Sequence, residues 1–375
     1  MFEGPTRNAI LAGRKIRMNP QSAVRPVESH VMFRYASASK TPEPALCCPV
    51  DYNRDLLKAI PEEVITRDYG CGDPSRWLKP GETVLDLGSG TGKICFIAAQ
   101  IVGSAGKVIG IDMTDEMLEV ARRNAPIVAE RIGYANVEFR KGRIQDLTLN
   151  LDLLDAVLGQ NPIGGIAGYL RAQELAADLG VREPLVPARS IDVVVSNCVL
   201  NLVDPNDKHR LFAEIYRVLR PGGRAVISDI VSTTKVPVEL QQDPTLWSGC
   251  ISGALREDEF LRAFETAGFN GIRLLKRDAK PWQTVAGIDF HAVTVEAYRE
   301  PEESPNGISG EVIYRGPFRE VTDDAGHSFR RGIRTAVSAR EIARLSAEPY
   351  SGHFEPLAGS TSPHGKVAVP NRCCG

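Results

Sequence analysis

Val84-Leu85-Asp86-Leu87-Gly88-Ser89-Gly90-Thr91-Gly92-Lys93 is the stretch on which the fold turns. A short apolar run ends on an acid, a glycine-rich turn follows, and Ile94-Cys95-Phe96-Ile97-Ala98-Ala99 opens a helix. A strand, a tight loop and a helix N-terminus in that order form the place where α/β proteins hold nucleotide-like ligands. Glycines suit the loop because the chain must turn sharply and its backbone must come close to the ligand.

The kind of ligand can be argued from charge. In the dinucleotide fingerprint the third glycine stands three residues after the second; here that position is Lys93, and the glycines are Gly88, Gly90 and Gly92. Asp86 would also repel a pyrophosphate, whereas a cation would be attracted. S-adenosylmethionine carries an ammonium, a sulfonium and no phosphate, so it suits an acid at this point. Lys107-Val108-Ile109-Gly110-Ile111-Asp112 reads as a second strand ending on an acid, placed to take two ribose hydroxyls. Together the loop and the two acids resemble the class I methyltransferases. The resemblance implies an α/β, Rossmann-like seven-stranded sheet. It implies S-adenosylmethionine held by Tyr69, Asp86, Gly88, Ser89, Gly90, Thr91, Gly92, Asp112, Met113, Ile144, Gln145 and Asn197. In such proteins an acid or amide at Ile144-Gln145-Asp146 contacts the adenine amino group.

Bulk composition narrows the field. The 375 residues suffice for one large domain and a smaller appendage. A net charge of −2 gives no electrostatic reason to expect nucleic acid as a partner. No apolar run reaches the roughly 18 residues of a membrane span. The first residues lack the apolar core of a signal peptide, so a cytoplasmic location is expected. In that compartment the eight cysteines point to free thiols, metal ligation or catalysis rather than disulfides.

Along the chain, residues 1–30 are polar, aperiodic and expected to be disordered. A cap follows over 31–80, with Cys47-Cys48 and a helical pattern at Leu56, Leu57, Ile60, Val64 and Ile65. The main domain is expected over 81–300. Asp115 to Ile132 reads as a helix capped by Thr114 or Asp115 and kinked at Pro126; Val137–Arg140 is a third strand. Residues 147–190 exceed what a minimal fold needs and carry two helical patterns, an insertion near the site or a passive embellishment. Ile191–Cys198 is apolar enough for a parallel strand buried on both faces. Lys208–Leu219 is a helix stopped at Arg220-Pro221-Gly222-Gly223. Ala225–Ile230 is the fifth strand, Asp258–Ala267 a helix, and Gly271–Lys276 and Phe290–Tyr298 an antiparallel edge. Residues 301–356 offer short strands at Val312–Arg315, Phe318–Val321 and Thr335–Val337, a small β-rich C-terminal domain; 357–375 read as a flexible tail.

The acceptor is read from cysteines. Cys198 falls at the carboxyl end of a strand, where ligands sit in open parallel sheets. Cys250 lies in the loop after the fifth strand, and Cys71 just before the first. Thiols from separate loops converging on one crevice favour a soft, thiophilic ion. Tyr69-Gly70-Cys71-Gly72, Ser196-Asn197-Cys198-Val199-Leu200-Asn201-Leu202 and Cys250-Ile251-Ser252-Gly253-Ala254 resemble the arsenite methyltransferases, from about Cys47 to about Tyr298. The resemblance implies that Cys198 and Cys250, joined by Cys71, hold trivalent arsenic. It further implies that Cys47 or Cys48 works with Cys71 in thiol–disulfide exchange, with thioredoxin or glutathione as reductant.

Plainer readings stand beside these. Cys95 lies on the apolar side of its helix and is expected in the core. Cys198 alone could be a core residue, and Cys373-Cys374 is expected to be tail. Trp247 and Trp282 are more often packing residues than pocket walls. The six histidines are scattered without metal spacing. A methyltransferase of an organic acceptor, as for quinones or sterols, would need a general base and leave the cysteines dispensable. Structural zinc normally uses C-x₂₋₄-C pairs, which this chain lacks.

Overall fold

The computed structural model describes residues 27–41, 43, 50–67, 69–160, 162–302 and 309–357. Residues 1–26, Cys47, Cys48 and the tail with Cys373 and Cys374 lie outside them.

Alternating apolar residues build the central sheet. Its strands are β1 (Thr83–Leu87), β2 (Lys107–Asp112), β3 (Val137–Lys141), β4 (Ile191–Asn197), β5 (Leu219–Ser232), β6 (Asn270–Arg277), β7 (Gln283–Val285) and β8 (Ile288–Tyr298). They run in the order β3-β2-β1-β4-β5-β8-β6, with β7 added to β8. Pairs among β1 to β5 are parallel, and β8 is antiparallel to both β5 and β6. The expected seven strands are present, with β7 as an eighth, short one.

Side chains alternate across the pleat and both faces are covered. Leu85, Leu87 and Val194 pack against α8 (Lys208–Val218) and α11 (Glu257–Thr266). Val84, Val193 and Val195 pack against α4 (Lys93–Val102) and α5 (Asp115–Ile132). Since β2 and β4 flank β1 on opposite sides, the chain reverses direction across the sheet there. That reversal opens a crevice beyond the strand ends.

Several boundaries move. The helix α1 (Val27–Ala38) begins inside the stretch expected to be disordered. The single pattern at 56–65 becomes two short helices, α2 (Arg54–Leu57) and α3 (Glu62–Thr66), separated at Pro61, which stands as the N-cap of α3. The helix α5 runs unbroken through Pro126, and Thr114 occupies its N-cap. The Pro-Gly-Gly stop ends α8 as expected but falls inside the irregular start of β5 rather than in a loop. The insertion forms α6 (Leu151–Gln160) and α7 (Gly165–Arg182), neither with a buried residue. Beyond β5 come α9 (Val238–Gln241) and α10 (Pro244–Ser248).

The C-terminal residues make a separate sheet β12-β9-β13 from β9 (Gly310–Tyr314), β12 (Arg334–Val337) and β13 (Phe354–Leu357). A hairpin of β10 (Glu320–Thr322) and β11 (Ser328–Arg330), with α12 (Ala339–Leu345), completes it. Val312, Tyr314, Phe329, Val337, Leu345 and Phe354 form its own core. Leu357, assigned to the tail from sequence, is thus the last residue of a strand. Here His327 meets Asp323 and Glu341 at 3.1 and 2.9 Å, a grouping that spacing did not reveal; Arg344, 2.6 Å from Asp323, already neutralises part of it.

Phe264 is fully buried, with ring centroids of Phe212, Phe260 and Phe269 4.9 to 5.6 Å away. Phe264→Ala should cost about 3–5 kcal/mol of unfolding free energy, read by chemical denaturation. A loss below about 1 kcal/mol would mean that α11 does not seal this face.

Candidate active site

The glycine loop crosses the crevice at the end of β1. Gly88 has φ 73°, and a Cβ there would lie 2.4 Å from Val199. Asp112 latches the loop from β2: one carboxylate oxygen accepts the Gly90 N–H at 2.9 Å and the other that of Thr114 at 2.8 Å. Burial pushes the Asp112 carboxyl up, opposed by these backbone N–H groups. Asp86, deeper and buried, accepts from the Cys95 thiol at 3.2 Å. Cys95 is therefore in the core as read, with its thiol pushed up by burial and then by Asp86.

A pocket with about 920 Å³ of empty space, its open mouth included, lies over this loop. Asp86, Gly88, Ser89, Gly90 and Thr91 line its floor, Asp112 and Met113 one wall, and Ile144 and Gln145 one end. Tyr69, Asn197 and Cys198 line the other side. Gly92 does not; it caps α4, and its Cα faces the Phe139 ring. Among the described residues the insertion contributes no lining residue, although Leu185 packs behind the lining residue Gly142.

What sequence reading missed is the cover. Glu28, Val31 and Tyr35 of α1 line the pocket, at the i, i+3, i+7 spacing of one helix face. Glu28 accepts from the Gln145 amide at 2.5 Å and pairs with Arg143 at 3.3 Å. Arg34 fastens the helix to α10 through the Thr245 carbonyl and the Ser248 hydroxyl, both 2.9 Å away. Tyr69 donates to the Ala38 carbonyl at 2.9 Å and meets the Tyr35 ring edge-on. The spacing at 28, 31 and 35 was the available signal, hidden by the polar residues around it.

The three cysteines singled out by sequence come together. Cys71, Cys198 and Cys250 are all buried and share one cluster with Val31, Trp247 and Phe290. Cys198 hydrogen-bonds both other thiols. The Cys250 thiol also donates to the Cys198 carbonyl at 3.0 Å. The Cys250 bond pulls the Cys198 thiol down, but Cys71, burial and Asp229 outweigh it, so it lies well above its ordinary range. Cys250 is pushed up by Cys198 and by burial, while the Tyr35 hydroxyl, bonded to its sulfur, pulls it down. Cys198 and Cys250 have φ of 65° and 64°, left-handed conformations that cost a non-glycine residue about 1–3 kcal/mol.

Asn197 fixes Cys71. Its Oδ1 accepts the N–H of Cys71 at 2.9 Å and of Gly72 at 3.0 Å, and its Nδ2 donates to the Gly72 carbonyl at 2.8 Å. Its amide thus holds a loop, while Asn197 also lines the pocket. Tyr52 joins the clamp through its hydroxyl, 3.2 Å from Asn197 Nδ2, and the Lys93 ammonium lies 4.0 Å over the Tyr52 ring. Lys93 therefore points away from the pocket. Trp247 packs and donates to the Leu202 carbonyl at 3.2 Å, as its plainer reading had it.

Sheet order, loop, latch and pocket define a methyltransferase of the Rossmann-like class. A family model described as a methyltransferase domain matches residues 78–173 and 171–268, and one described as a domain of unknown function matches 307–374. The chain is 34% identical to the arsenite methyltransferase of Aquipseudomonas alcaligenes, covering 85% of this chain and 86% of that protein. It is 31% identical to the human arsenite methyltransferase over 80% of this chain and 74% of that one. Among solved structures it is similar to an arsenic(III) S-adenosylmethionine methyltransferase from Chlamydomonas reinhardtii. That match has 27% identity and a TM-score of 0.55, and covers 88% of this chain and 100% of that one. The chain belongs to the arsenite methyltransferase family.

Gly70 has no room for a side chain: a Cβ would stand 2.1 Å from Asn197 Nδ2. Gly70→Ala should push the Asn197 amide aside and free the Cys71 loop. Labelling of buried thiols by an aromatic disulfide under native conditions should then speed up about tenfold or more, as expected when a local opening loses about 1.4 kcal/mol of protection. Unchanged labelling would show that Asn197 does not hold Cys71.

Proposed function

We propose that this protein transfers methyl groups from S-adenosylmethionine to trivalent arsenic held by Cys71, Cys198 and Cys250. One observation carries the reading: three buried thiols from three separate segments meet where Cys198 also lines the cofactor pocket. Membership of the arsenite methyltransferase family supports it.

The pocket suits the cofactor in its chemistry. The Ser89 hydroxyl is buried there without a hydrogen-bond partner, and such orphans call for a ligand or water. Asp86, Asp112 and Glu28 give the lining an acidic balance that favours a cation over a phosphate. On this reading Asp112 takes the ribose hydroxyls, Ile144 and Gln145 the adenine, and the loop from Gly88 to Thr91 the methionine end. When bound, the cofactor supplies an electrophilic methyl on a sulfonium.

The chain's own part is capture, orientation and dryness. Arsenic bound by three thiolates is pyramidal and keeps a lone pair, so fixing the three sulfurs fixes where that pair points. Val31, Trp247, Ile251 and Phe290 keep water from the thiols. Transfer would form the arsenic–carbon bond as the cofactor's sulfonium–carbon bond breaks to a neutral thioether, and would leave arsenic, held by Cys71, Cys198 and Cys250, formally pentavalent. Its return to the trivalent state takes two electrons, furnished when two thiols join as a disulfide and release two protons. Cys71 with Cys47 or Cys48 is the pair proposed, re-reduced by thioredoxin or glutathione.

Incubation of the protein with arsenite, S-adenosylmethionine and a thiol reductant, followed by arsenic speciation, tests this. Methylated arsenic is expected from the wild type. Cys198→Ser should lose about a hundredfold or more of the rate while keeping S-adenosylhomocysteine affinity within about threefold, since the serine leaves the pocket wall intact. Arsenic that is neither bound nor methylated would remove the thiol reading and leave a methyltransferase of an organic acceptor. Asp112→Ala should raise the KM for S-adenosylmethionine about tenfold or more, with arsenite binding unchanged; an unaltered KM would move the ribose away from β2.

A further inference from the structure

Cys198 and Cys250 sit on different loops, each in a strained backbone conformation, and strain of this kind persists only where the surroundings enforce it. What enforces it lies behind the thiols. None of Asp229, Asn201 and Lys208 lines the cofactor pocket, yet all three are buried.

Asp229, in β5, accepts the Leu200 N–H on one oxygen and Asn201 Nδ2 on the other, both at 2.9 Å. Asn201 Nδ2 also reaches the carbonyls of Ile230 at 2.6 Å and Cys250 at 3.3 Å. From α8 the Lys208 ammonium donates to the Gly253 carbonyl at 2.6 Å and approaches Asn201 Oδ1 at 3.5 Å. Gly253 comes so near the Asn201 carbonyl that a Cβ on it would stand 1.9 Å away. The segment 250–253 is thus fastened at both ends to the turn that follows Cys198. The Cys71 backbone hangs on Asn197.

Stability alone is a poor reason for this arrangement. Burial lowers Lys208 to about 8 and raises Asp229 to about 6, and buried charged groups are often no better for stability than apolar residues of the same size. A chelating site gains differently: sulfurs already held at their span spare the ordering cost of capture.

We propose that Asn201 and Lys208 are positioning residues of the thiol centre, fixing the span between the Cys198 and Cys250 sulfurs before arsenic arrives. This rests on the arsenic reading above. Neither residue touches arsenic or cofactor; both act through the backbone of residues 200–202 and 250–253.

The test uses the full chain with its thiols reduced, comparing wild type, Asn201→Ala and Lys208→Met. Arsenic X-ray absorption counts sulfur neighbours after arsenite is added, and calorimetry measures arsenite and S-adenosylhomocysteine separately. Three sulfur neighbours are expected in the wild type, and two with an oxygen in each variant. Arsenite affinity should fall about tenfold or more while S-adenosylhomocysteine affinity stays within about threefold. Three sulfurs and wild-type affinity in the variants would overturn the proposal. So would an equal fall in both affinities, the mark of a merely structural role. A wild type without sulfur neighbours would instead overturn the arsenic reading itself. Should Asn201→Ala not fold, Lys208→Met decides, since methionine keeps the buried stem and loses only the ammonium.

Discussion

Everything at this site depends on how β4 ends. Two adjacent residues there do unlike work. Asn197 turns its amide onto the backbone of Cys71 and Gly72, 2.8 to 3.0 Å away; Cys198 turns left-handed and puts its sulfur between the other two thiols. A parallel strand ending in ordinary geometry would carry the chain straight on into its crossover. The break at Cys198 instead sends Leu200–Leu202 into a tight turn, which brings Asn201 under Cys250. One strand end therefore sets the position of all three thiols and one wall of the pocket.

Burial shapes the chemistry proposed for those thiols. Desolvation and mutual hydrogen bonding hold Cys198 and Cys250 above their ordinary range, so at neutral pH they rest as thiols. That would disarm a cysteine nucleophile, which works as thiolate. It does not hinder capture of trivalent arsenic hydroxide. Each S–H proton leaves with a hydroxide as water, and three thiols exchange for three hydroxides with no net change in charge. Uncharged thiols at Cys198 and Cys250 suit that exchange, because no isolated thiolate has to be kept there in a dry site.

Much of the fold and part of the site were legible in the sequence because they rest on local pattern. The apolar runs at Val84–Leu87 and Ile191–Val195 announce strands buried on both faces, and the loop from Gly88 to Gly92 follows the first of them. Cysteine positions pointed to a common crevice, and the structure brings Cys71, Cys198 and Cys250 together. Other features depend on partners far along the chain. Glu28, Val31 and Tyr35 form a pocket face only because α1 packs against α5 and α10. The mean character of that stretch is polar, so composition read it as disorder. Asn197 lines the pocket; that its amide also holds the Gly72 backbone, 125 residues earlier, has no local signature. The Asp323, His327 and Glu341 grouping likewise exists only once α12 folds back over the loop between β10 and β11.

The placement of α1 has a mechanical consequence. Glu28 stands at the Gln145 end of the pocket and Tyr35 beside Cys250. Seven residues of helix separate them, about 10 Å at 1.5 Å per residue. A single rigid element thus touches the end assigned to adenine and the sulfur assigned to arsenic. Its anchors are Arg34 on α10, Tyr69 on the Ala38 carbonyl and the buried side chains of Val31 and Ala38, while Phe33 on its outer side is exposed. The same helix face therefore covers the pocket and the thiols together.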